Sequence, residues 1–444
     1  MKFERLISII LLGAVFGFLA LDVYRIITGV RQPNGAHDLH PYWYRGHSLR
    51  QGSDPYRASL ENEIPTLPVM YLDGVITKQP PIAQPGLPTF ISNTAPLSLF
   101  LFSFSLYSWS FAKWLWVAIN LILILILAWL VLRSFPYDLY FKNLDRLIIF
   151  AIVFAFSATR GSVMIGQTSL IIFSLLLGSL ILRERHWLIS GVLLGIALSK
   201  YSLALPFVLF MLLELRPKNF LLLLVALIVQ FFGVITLSYA CGESPTTIFQ
   251  DYIQVFKQIS ATHDRSGVQI SILLPPDSQL VILLIGVITA VVLVVLLFGL
   301  WQRRKIATFT IPLLNHHLLA ILIIWNFLIA YHGGYDLIML LILFPLLLFA
   351  IRKPKFWRFT DLSKWLLGGI LLLFIGMMCV PNSLVQLIIQ KESDLDTMLF
   401  IERLYVFMLL LLFITISWML SRLESTNEAL EKTNIIPQEV IQYG

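Results

Sequence analysis

The chain carries little charge. Only 13% of its 444 residues are Asp, Glu, Lys or Arg, whereas 58% are hydrophobic. A soluble core of this length does not need so much apolar surface, so the composition excludes a soluble protein and predicts an all-α polytopic membrane protein. The formal net charge is +7, but the basic residues stand in short clusters between apolar runs. That pattern indicates orientation in a membrane rather than binding to a nucleic acid.

Cysteine is also scarce, and the common ligand motifs are missing. Cys241 and Cys379 are the two cysteines, which excludes a disulfide framework and a cysteine metal site. They are interpreted as two small apolar residues, since a bond between them requires that their loops meet. The sequence contains no HExxH, no GxSxG and no glycine-rich phosphate loop. No cofactor and no metal are therefore expected.

Basic clusters alternate with the apolar runs. They lie at 133–146, 183–185, 216–218, 303–305 and 352–358. If all of them face the cytoplasm, the segment 92–111 must not cross the membrane, and 188–215 must cross it twice as two half-helices broken near Lys200. The count is then about twelve transmembrane helices with both termini in the cytoplasm. Whether 188–215 crosses once or twice stays open, because each half is shorter than the roughly 20 residues of a full span.

The predicted spans together form a single transmembrane domain over 1–421, and a polar cytoplasmic tail is predicted over 422–444. The first span, 5–29, is interpreted as uncleaved, although a cleavable signal has a similar pattern. Two large loops face outward. The first, 30–112, is rich in proline and carries the non-spanning helix, and the second, 241–277, carries an amphipathic helix. The unusual polar residues of the chain thus collect on one face of the membrane.

Asp38 follows the first span directly and is the first candidate for chemistry. A carboxylate at the mouth of a helix bundle can act as a general base on a hydroxyl, although a solvated loop acid is the more common role. The aromatic run after it includes Tyr42 and Trp43. Aromatic rings stack on the apolar faces of sugars and also anchor loops at the membrane interface. The sequence leaves both roles open and favours anchoring.

Several other ionisable residues are expected on the same face. Arg160 lies at the outer end of its span, and Lys200 interrupts an apolar run; each can also snorkel to the interface. Two cations near an outer carboxylate suit an anionic leaving group such as a phosphate. Later, a turn brings His332 and Asp336 to this face. His332 can contact a phosphate, and helix capping is the favoured role of Asp336.

The order of these motifs resembles glycosyltransferase family 87, the polyprenyl-phosphate-mannose-dependent α-mannosyltransferases of the GT-C superfamily. The motifs are YWYRG, GSDPY, TAPLSLFLF, MIGQTSLIIFSLLLGSLIL, GVLLGIALSKYSLALP and AYHGGYDLIMLLILFP. The resemblance covers about 30–350, and it depends on order and spacing rather than on one motif. Two departures occur: Ala95-Pro96 replaces the two-proline start of a family helix, and GQTS, with Thr168 and Ser169, replaces the family's GQ-N pattern.

The resemblance implies a GT-C-type bundle with Asp38 as the catalytic base. It implies further that the donor and acceptor site contains residues from several distant segments, namely Tyr42, Trp43, Arg160, Gln167, Lys200, Gln269, His332, Tyr335 and Asp336. In such enzymes the apolar segment after the first acid belongs to the outer loop and does not cross. The charge distribution leads to the same conclusion by a separate route.

The function expected from the resemblance is hexosyl transfer, mannosyl in particular, from a polyprenyl-phosphate-linked sugar to a lipid- or glycan-linked hydroxyl. Transfer would be inverting, metal-independent and located on the outer face of the cell membrane, in the cell envelope. The partners would be the donor, the acceptor and the lipid bilayer, with no nucleic acid. A transporter or flippase of lipid-linked saccharides is the alternative, because broken helices with charges are also typical of transporters.

Overall fold

The computed structural model describes residues 13, 17, 23–31, 35–36, 38–60, 93–262, 268–274, 279–306, 308–330, 332–357, 359–379 and 394–423. Four predicted features lie outside these residues. They are most of the first span, the proline-rich part of the first outer loop, the loop after Pro381 and the polar tail beyond residue 423.

Within those ranges the chain forms helices and contains no strand. In chain order the α-helices are α1 (His40–Arg50), α2 (Pro55–Leu60), α3 (Ala95–Phe102), α4 (Trp109–Ser134), α5 (Asn143–Ala155), α6 (Ser157–Ile165), α7 (Ser169–Leu182), α8 (Trp187–Ala197), α9 (Tyr201–Leu213), α10 (Pro217–Cys241), α11 (Pro245–Thr262), α12 (Leu280–Gln302), α13 (Ile311–Ile329), α14 (Leu343–Arg352), α15 (Asp361–Cys379) and α16 (Asp394–Arg422). Short 3-10 segments at Ser103–Leu106, Leu198–Lys200 and Gly334–Ile342 extend or join some of them.

The helices confirm a polytopic membrane protein. Among the described residues, eight helices are long and apolar enough to cross a membrane when residues 187–213 are counted as one helix, or nine if the bent pair α5 and α6 forms one span. A typical example is α4, a 26-residue apolar run that starts after the capping hydroxyl of Ser108 and is about 39 Å long. Another is α10, which begins with Pro217 and ends at Gly242 in the left-handed region. Helices of spanning length alone do not reach the predicted count of about twelve.

The basic clusters gather at one end of the helix bundle. Arg352 Nη2 lies 2.6 Å from Asp145 Oδ1, which brings the end of α14 to the start of α5. Arg183 Nη2 donates to Glu214 Oε1 at 3.1 Å, and Asn315 Nδ2 donates to the same oxygen at 3.0 Å. The ends of α7 and α9 therefore meet the start of α13. This arrangement agrees with the prediction that these clusters share one side of the membrane.

Residues 187–213 form a helical hairpin. Their 27 residues run without a long break, and a straight helix of that length would separate its ends by about 40 Å. The flanks instead touch, because Arg183 pairs with Glu214 and Arg216 pairs with Glu184. The chain thus reverses at the 3-10 turn that ends in Lys200, as the charge pattern predicts. The arms, α8 and α9, are about 16 and 20 Å long, less than the roughly 30 Å hydrocarbon core.

The first outer loop packs against the opposite end of the bundle. α3 and its 3-10 extension end at Leu106, too short to span, and lie against α1 and α10. A Cβ on Gly46 would collide with the backbone oxygen of Phe102, and one on Gly233 would fall 2.6 Å from Pro96 Cγ. The following span begins at Trp109, so the loop ends slightly before the predicted residue 112.

The second outer loop contains α11. Its buried side chains include Ile248 and Val255, whereas Phe249 is exposed. The amphipathic helix predicted within this loop is therefore present. The face that contains Ile248 and Val255 packs against α2 and α10, and Phe249 lies on the outer face.

Candidate functional site

The turn between α6 and α7 holds the start of the first outer loop. Gly166 has φ +87°, and a Cβ there would lie 2.8 Å from the backbone nitrogen of Leu39. Ala36 N donates to Met164 O, and Asp38 N donates to Ile165 O, both at 2.8 Å. Only glycine fits this close approach with a positive φ. The turn thus fixes the backbone on both sides of Asp38.

The next three residues of the turn, 167–169, each contact a different distant segment. Gln167 Nε2 donates to Asp38 Oδ2. Thr168 Oγ1 accepts from Asn93 Nδ2 at 3.4 Å, and Asn93 in turn donates to Tyr42 Oη at 2.8 Å. Ser169, the first residue of α7, contacts the ion pair described below. This short stretch therefore joins the segment of Asp38, the start of α3 and the late helices.

A buried ion pair lies next to Ser169. Lys200 Nζ is 2.5 Å from Asp336 Oδ1 and 2.9 Å from Ser169 Oγ, which itself donates to Asp336 Oδ1 at 2.5 Å. The side chains of Lys200 and Asp336 are 14% and 5% exposed. The lysine N–H groups also lie over the ring of Tyr335, 4.9 Å from its centre. The sequence favoured a helix-capping role for Asp336. In the structure its carboxylate instead compensates the charge of Lys200.

His332 extends this ion pair, and its tautomer follows from its partners. Asn326 Nδ2 donates to Ser202 O at 2.7 Å, so the amide nitrogen is the atom that faces His332 Nε2 at 3.0 Å. Nε2 must accept that hydrogen bond, which places the imidazole proton on Nδ1. Nδ1 lies 3.5 Å from Asp336 Oδ2. The imidazole thus presents a donor to the carboxylate, and Asn326 orients it.

The remaining predicted residues fall into two groups. Arg160 is buried on α6, where a Cβ on its neighbour Gly161 would lie 3.8 Å from Tyr335 Cβ. Gln269 follows Val268, whose N–H donates to His332 O at 2.8 Å. These residues belong to the same end of the bundle as Lys200. The structure therefore places them beside the site.

Tyr42 and Trp43 instead hold the first outer loop together. Tyr42 is buried on α1, and its hydroxyl accepts from the backbone and side-chain nitrogens of Asn93. Trp43 Nε1 donates to Tyr107 O at 2.9 Å, and its ring packs against Trp109. His40 completes this aromatic group, and burial lowers its pKa to about 4. These contacts anchor α1, and none of them leaves the Tyr42 ring open as a platform for a sugar.

Three site residues escaped the sequence analysis: Asn93, Ser199 and Asn326. All are fully or almost fully buried. A polar residue within an apolar span is a sign of function or of a structural hydrogen bond, and Asn326 carried that signal in the middle of its apolar run. Asn93 stands next to Thr94, and Ser199 stands next to Lys200, so neither was distinguished from its polar neighbour. Conversely, His316 and His317 bond to backbone carbonyls at the end with the basic clusters, as expected for structural residues.

The fold and this end of the bundle define a polytopic membrane protein with a carboxylate, an ion pair and an oriented histidine gathered around one turn. The family model of glycosyltransferase family 87 matches residues 94–325, just over half of the chain. The chain therefore belongs to glycosyltransferase family 87. No curated protein and no solved structure matches it. The matched residues include Gln167, Lys200 and Gln269, whereas Asp38 and the segment 332–336 lie outside them.

Proposed function

We propose that the chain transfers a hexosyl residue, mannosyl in the first instance, from a polyprenyl-phosphate-linked sugar to a hydroxyl of a lipid- or glycan-linked acceptor. Family membership establishes a glycosyltransferase, and the donor is the proposed part. One observation carries the proposal. Gln167 contacts Asp38, and Ser169, two residues later, contacts Lys200 and Asp336. A base and a cation are thereby held at opposite ends of one rigid turn.

The chemistry that suits this pair is a single displacement with inversion. Asp38 takes the proton of the acceptor hydroxyl as the oxygen attacks the anomeric carbon. The new C–O bond forms while the bond from the anomeric carbon to the phosphate oxygen breaks. The electron pair leaves with the lipid phosphate. Gln167 donates to Oδ2 of Asp38 and thereby orients the carboxylate for this role.

Lys200 suits the leaving phosphate even though Asp336 compensates its charge. An ammonium group has three N–H donors, and the structure assigns two of them, to Ser169 and Asp336. The third donor is proposed to reach the phosphate, and Arg160 completes the positive side of the site. The neutral imidazole of His332 has its two ring nitrogens facing Asn326 and Asp336, so it holds the Asp336 carboxylate beside Lys200 and does not contact the phosphate as the sequence suggested. A lipid phosphate carries less charge than a nucleotide diphosphate. Side-chain donors can therefore stabilise its departure without a metal.

The proposed orientation places this end of the bundle on the outer face of the cell membrane. It requires about twelve passages with both termini in the cytoplasm, including the short helices α7, α8 and α9 that do not span alone. The support is the gathering of the basic clusters at the opposite end through Arg352–Asp145 and Arg183–Glu214. Basic clusters mark the cytoplasmic side.

The hairpin of α8 and α9 favours the second candidate, a flippase of lipid-linked saccharides, because short helices with a charge at the tip also occur in transporters. A flippase moves an intact lipid-linked sugar across the bilayer. Purified protein that moves a labelled donor between leaflets without releasing polyprenyl phosphate would establish that candidate.

Asp38→Asn tests the proposed reaction. The asparagine keeps an oxygen that accepts from Gln167 and loses the ability to take a proton, so kcat should fall by about 10²- to 10⁴-fold. The assay presents the purified protein in lipid with a panel of polyprenyl-phosphate sugars and measures released polyprenyl phosphate. Asp361→Asn is the matched control, because that side chain is 89% exposed at the opposite end. Near-normal turnover of Asp38→Asn would remove Asp38 as the base.

A further inference from the structure

An apolar cavity of about 370 Å³ lies beside the site, between the first outer loop, α10 and α11. Its wall contains Tyr56, Ala95, Phe231, Val234, Ile248, Phe249 and Tyr252. This volume falls in the range of small-molecule sites. A cavity with such a lining does not attract water, because it offers almost no hydrogen-bond partners. An apolar occupant fits it.

The cavity is continuous with the surface that lipid covers. Phe231 and Phe249 line it and are 62% and 55% exposed. Leu224, Leu227 and Phe232 extend the same exposed apolar face along α10. Large apolar side chains can face outward on a spanning helix because the surrounding medium is hydrocarbon. A chain in the bilayer can therefore enter the cavity sideways, without crossing a polar surface.

One wall of the cavity is hydrogen-bonded to the hairpin turn that carries Lys200. Thr94 and Gln230, which line it, are hydrogen-bonded to each other at 2.6 Å. Gln230 Nε2 also donates to Gly195 O at 2.6 Å, and Thr94 N donates to Ser199 O at 3.1 Å. Ser199 immediately precedes Lys200 in the hairpin turn. Thr94, which lines the cavity, is thus hydrogen-bonded to the residue that precedes Lys200.

Tyr252 adds a second, independent observation. Its hydroxyl is buried in the cavity wall and has no hydrogen-bond partner among the described residues. An unsatisfied buried hydroxyl is unfavourable, and such groups are rare in folded proteins. By contrast, the hydroxyl of the neighbouring Tyr56 donates to Asn93 O at 3.0 Å. The unused donor of Tyr252 indicates that a polar atom of a ligand belongs in this cavity.

We propose that the cavity binds the isoprenoid chain of a lipid phosphate, with the phosphate at Lys200 and the Tyr252 hydroxyl donating to the polar end of the lipid. The inference rests on the proposed function for the role of the bound lipid as donor. It assigns the chain-binding part of the site to α10 and α11, separate from the residues that act on the sugar. An apolar lining, an opening to lipid and a wall bonded to the turn of Lys200 suit this one class of molecule.

Direct binding tests the cavity without relying on catalysis. Radiolabelled polyprenyl phosphate, without a sugar, is titrated onto purified protein in lipid nanodiscs. Val234 on α10 and Thr246 on α11 both line the cavity; Val234→Trp and Thr246→Phe fill it and should each raise Kd at least tenfold. Tyr252→Phe removes only the hydroxyl and should raise Kd about tenfold, the loss expected for a hydrogen bond to a charged group. Leu227→Trp, on the exposed face of α10, is the matched control and should bind as the unmodified protein does.

Two competitors identify the ligand. A phosphate with a single isoprene unit should compete weakly and should lose little further affinity in Val234→Trp, because it does not fill the cavity. Phosphatidylglycerol should not displace the labelled lipid. If phosphatidylglycerol competes as well as polyprenyl phosphate does, the cavity holds bulk lipid and the proposal is overturned. Unchanged affinity in both filling variants, each with a melting temperature near that of the unmodified protein, overturns it as well.

The outcome is distinguishable from failure of the proposed function. Tight polyprenyl phosphate binding that is sensitive to Val234→Trp, together with no sugar transfer from any donor, would retain the cavity and reject the transfer reaction. Transfer that depends on Asp38 but has the same chain-length preference in Val234→Trp and Leu227→Trp would retain the reaction and reject the cavity.

Discussion

At the scale of single residues, the site depends on neighbours that share one short stretch of backbone. Gln167, Thr168 and Ser169 each bond to a segment far away in the chain. A shift of this turn would therefore move the proposed base and the ion pair together. Gly166 makes the turn possible, because its positive φ and its contact with Leu39 exclude a side chain. The separation between the proposed base, Asp38, and the cation, Lys200, thus depends on the backbone of this turn.

The ion pair between Lys200 and Asp336 has a stability role that must be separated from its chemistry. Lys200→Met leaves Asp336 charged and buried, and losing one partner of a buried pair costs about 3–5 kcal/mol. Lys200→Met combined with Asp336→Asn removes both charges, and the amide that replaces the carboxylate can still bond to Ser169. We expect the single variant to melt at a clearly lower temperature and the double variant to recover most of the loss.

Activity decides the role of Lys200. The double variant should remain inactive, because no ammonium group remains to face the phosphate. Thermal unfolding and release of polyprenyl phosphate, measured on the same preparations, give both readouts. A double variant that is stable and active would make Lys200 a purely structural residue.

The raised pKa of Asp54 predicts that the stability of the protein depends on pH. Its side chain is buried and accepts from Tyr56 N at 2.8 Å. Burial, and to a lesser degree the nearby carboxylate of Asp251, raise its pKa to about 6 from an ordinary value of 3.8. The backbone N–H groups of Tyr56 and Arg57 lower this pKa without cancelling the effect of burial. The guanidinium of Arg57 binds Asp251 and Glu243. The folded protein therefore holds a proton that the unfolded chain releases between these two pH values.

The sign follows from that difference in bound protons. Between about pH 4 and pH 6 the free energy of unfolding should fall as pH rises, and above pH 6 this contribution stays lost. Asp54→Asn keeps the acceptor for Tyr56 N and cannot ionise. It should melt at a higher temperature than the unmodified protein at pH 7 and at a similar temperature near pH 4. Melting curves of the two proteins that stay parallel from pH 4 to pH 8 would contradict the prediction.

At the scale of elements, the hairpin of α8 and α9 is the feature with the largest effect on the site, since it carries Lys200 at its tip. In a background with Cys241→Ser and Cys379→Ser, the pair Glu184→Cys and Arg216→Cys should cross-link with a short bismaleimide. The pair Arg183–Glu214 stays intact in this variant. Arg216→Cys with Tyr239→Cys, a residue 90% exposed at the other end of α10, is the control and should not cross-link. A single straight helix over 187–213 would hold Glu184 and Arg216 about 40 Å apart or more and would leave both pairs unlinked.

The sequence predicted this hairpin and other elements whose signal is local. The apolar run 188–215 is too long for one span and too short for two full spans, and basic residues flank it on both sides. That combination indicates that the chain reverses within the run. The distribution of the basic clusters likewise indicated that the segment 92–111, which contains α3, does not cross. The packed face of α11 could not be predicted, because the choice between Ile248 and Phe249 depends on where α2 and α10 lie. The same limit applied to Asp336. The sequence alone does not distinguish an aspartate that caps a helix from one that pairs with Lys200 in the folded hairpin.

At the scale of the whole molecule, the protein has two chemically different ends. One end carries the basic clusters, joined by Arg352–Asp145 and by Glu214 with its partners Arg183 and Asn315. The other end carries Asp38, the hairpin tip and the turn that contains His332. Ion pairs at the first end fix the lower ends of the helices, and the packed outer loop fixes the upper ends. The site thus lies at the end where the outer loop packs, away from the ion pairs of the basic clusters.

Labelling with a membrane-impermeant maleimide tests how these ends are oriented. Gln51→Cys lies at the end with the site, and Arg304→Cys lies at the end with the basic clusters; both positions are exposed. In the background without native cysteines, Gln51→Cys should react on intact cells, whereas Arg304→Cys should react only in inverted vesicles. Basic clusters resist transfer across the membrane during insertion, which is the reason for this expectation. The reverse pattern would place the site in the cytoplasm, and reaction of both from one side would contradict the separation of the two ends.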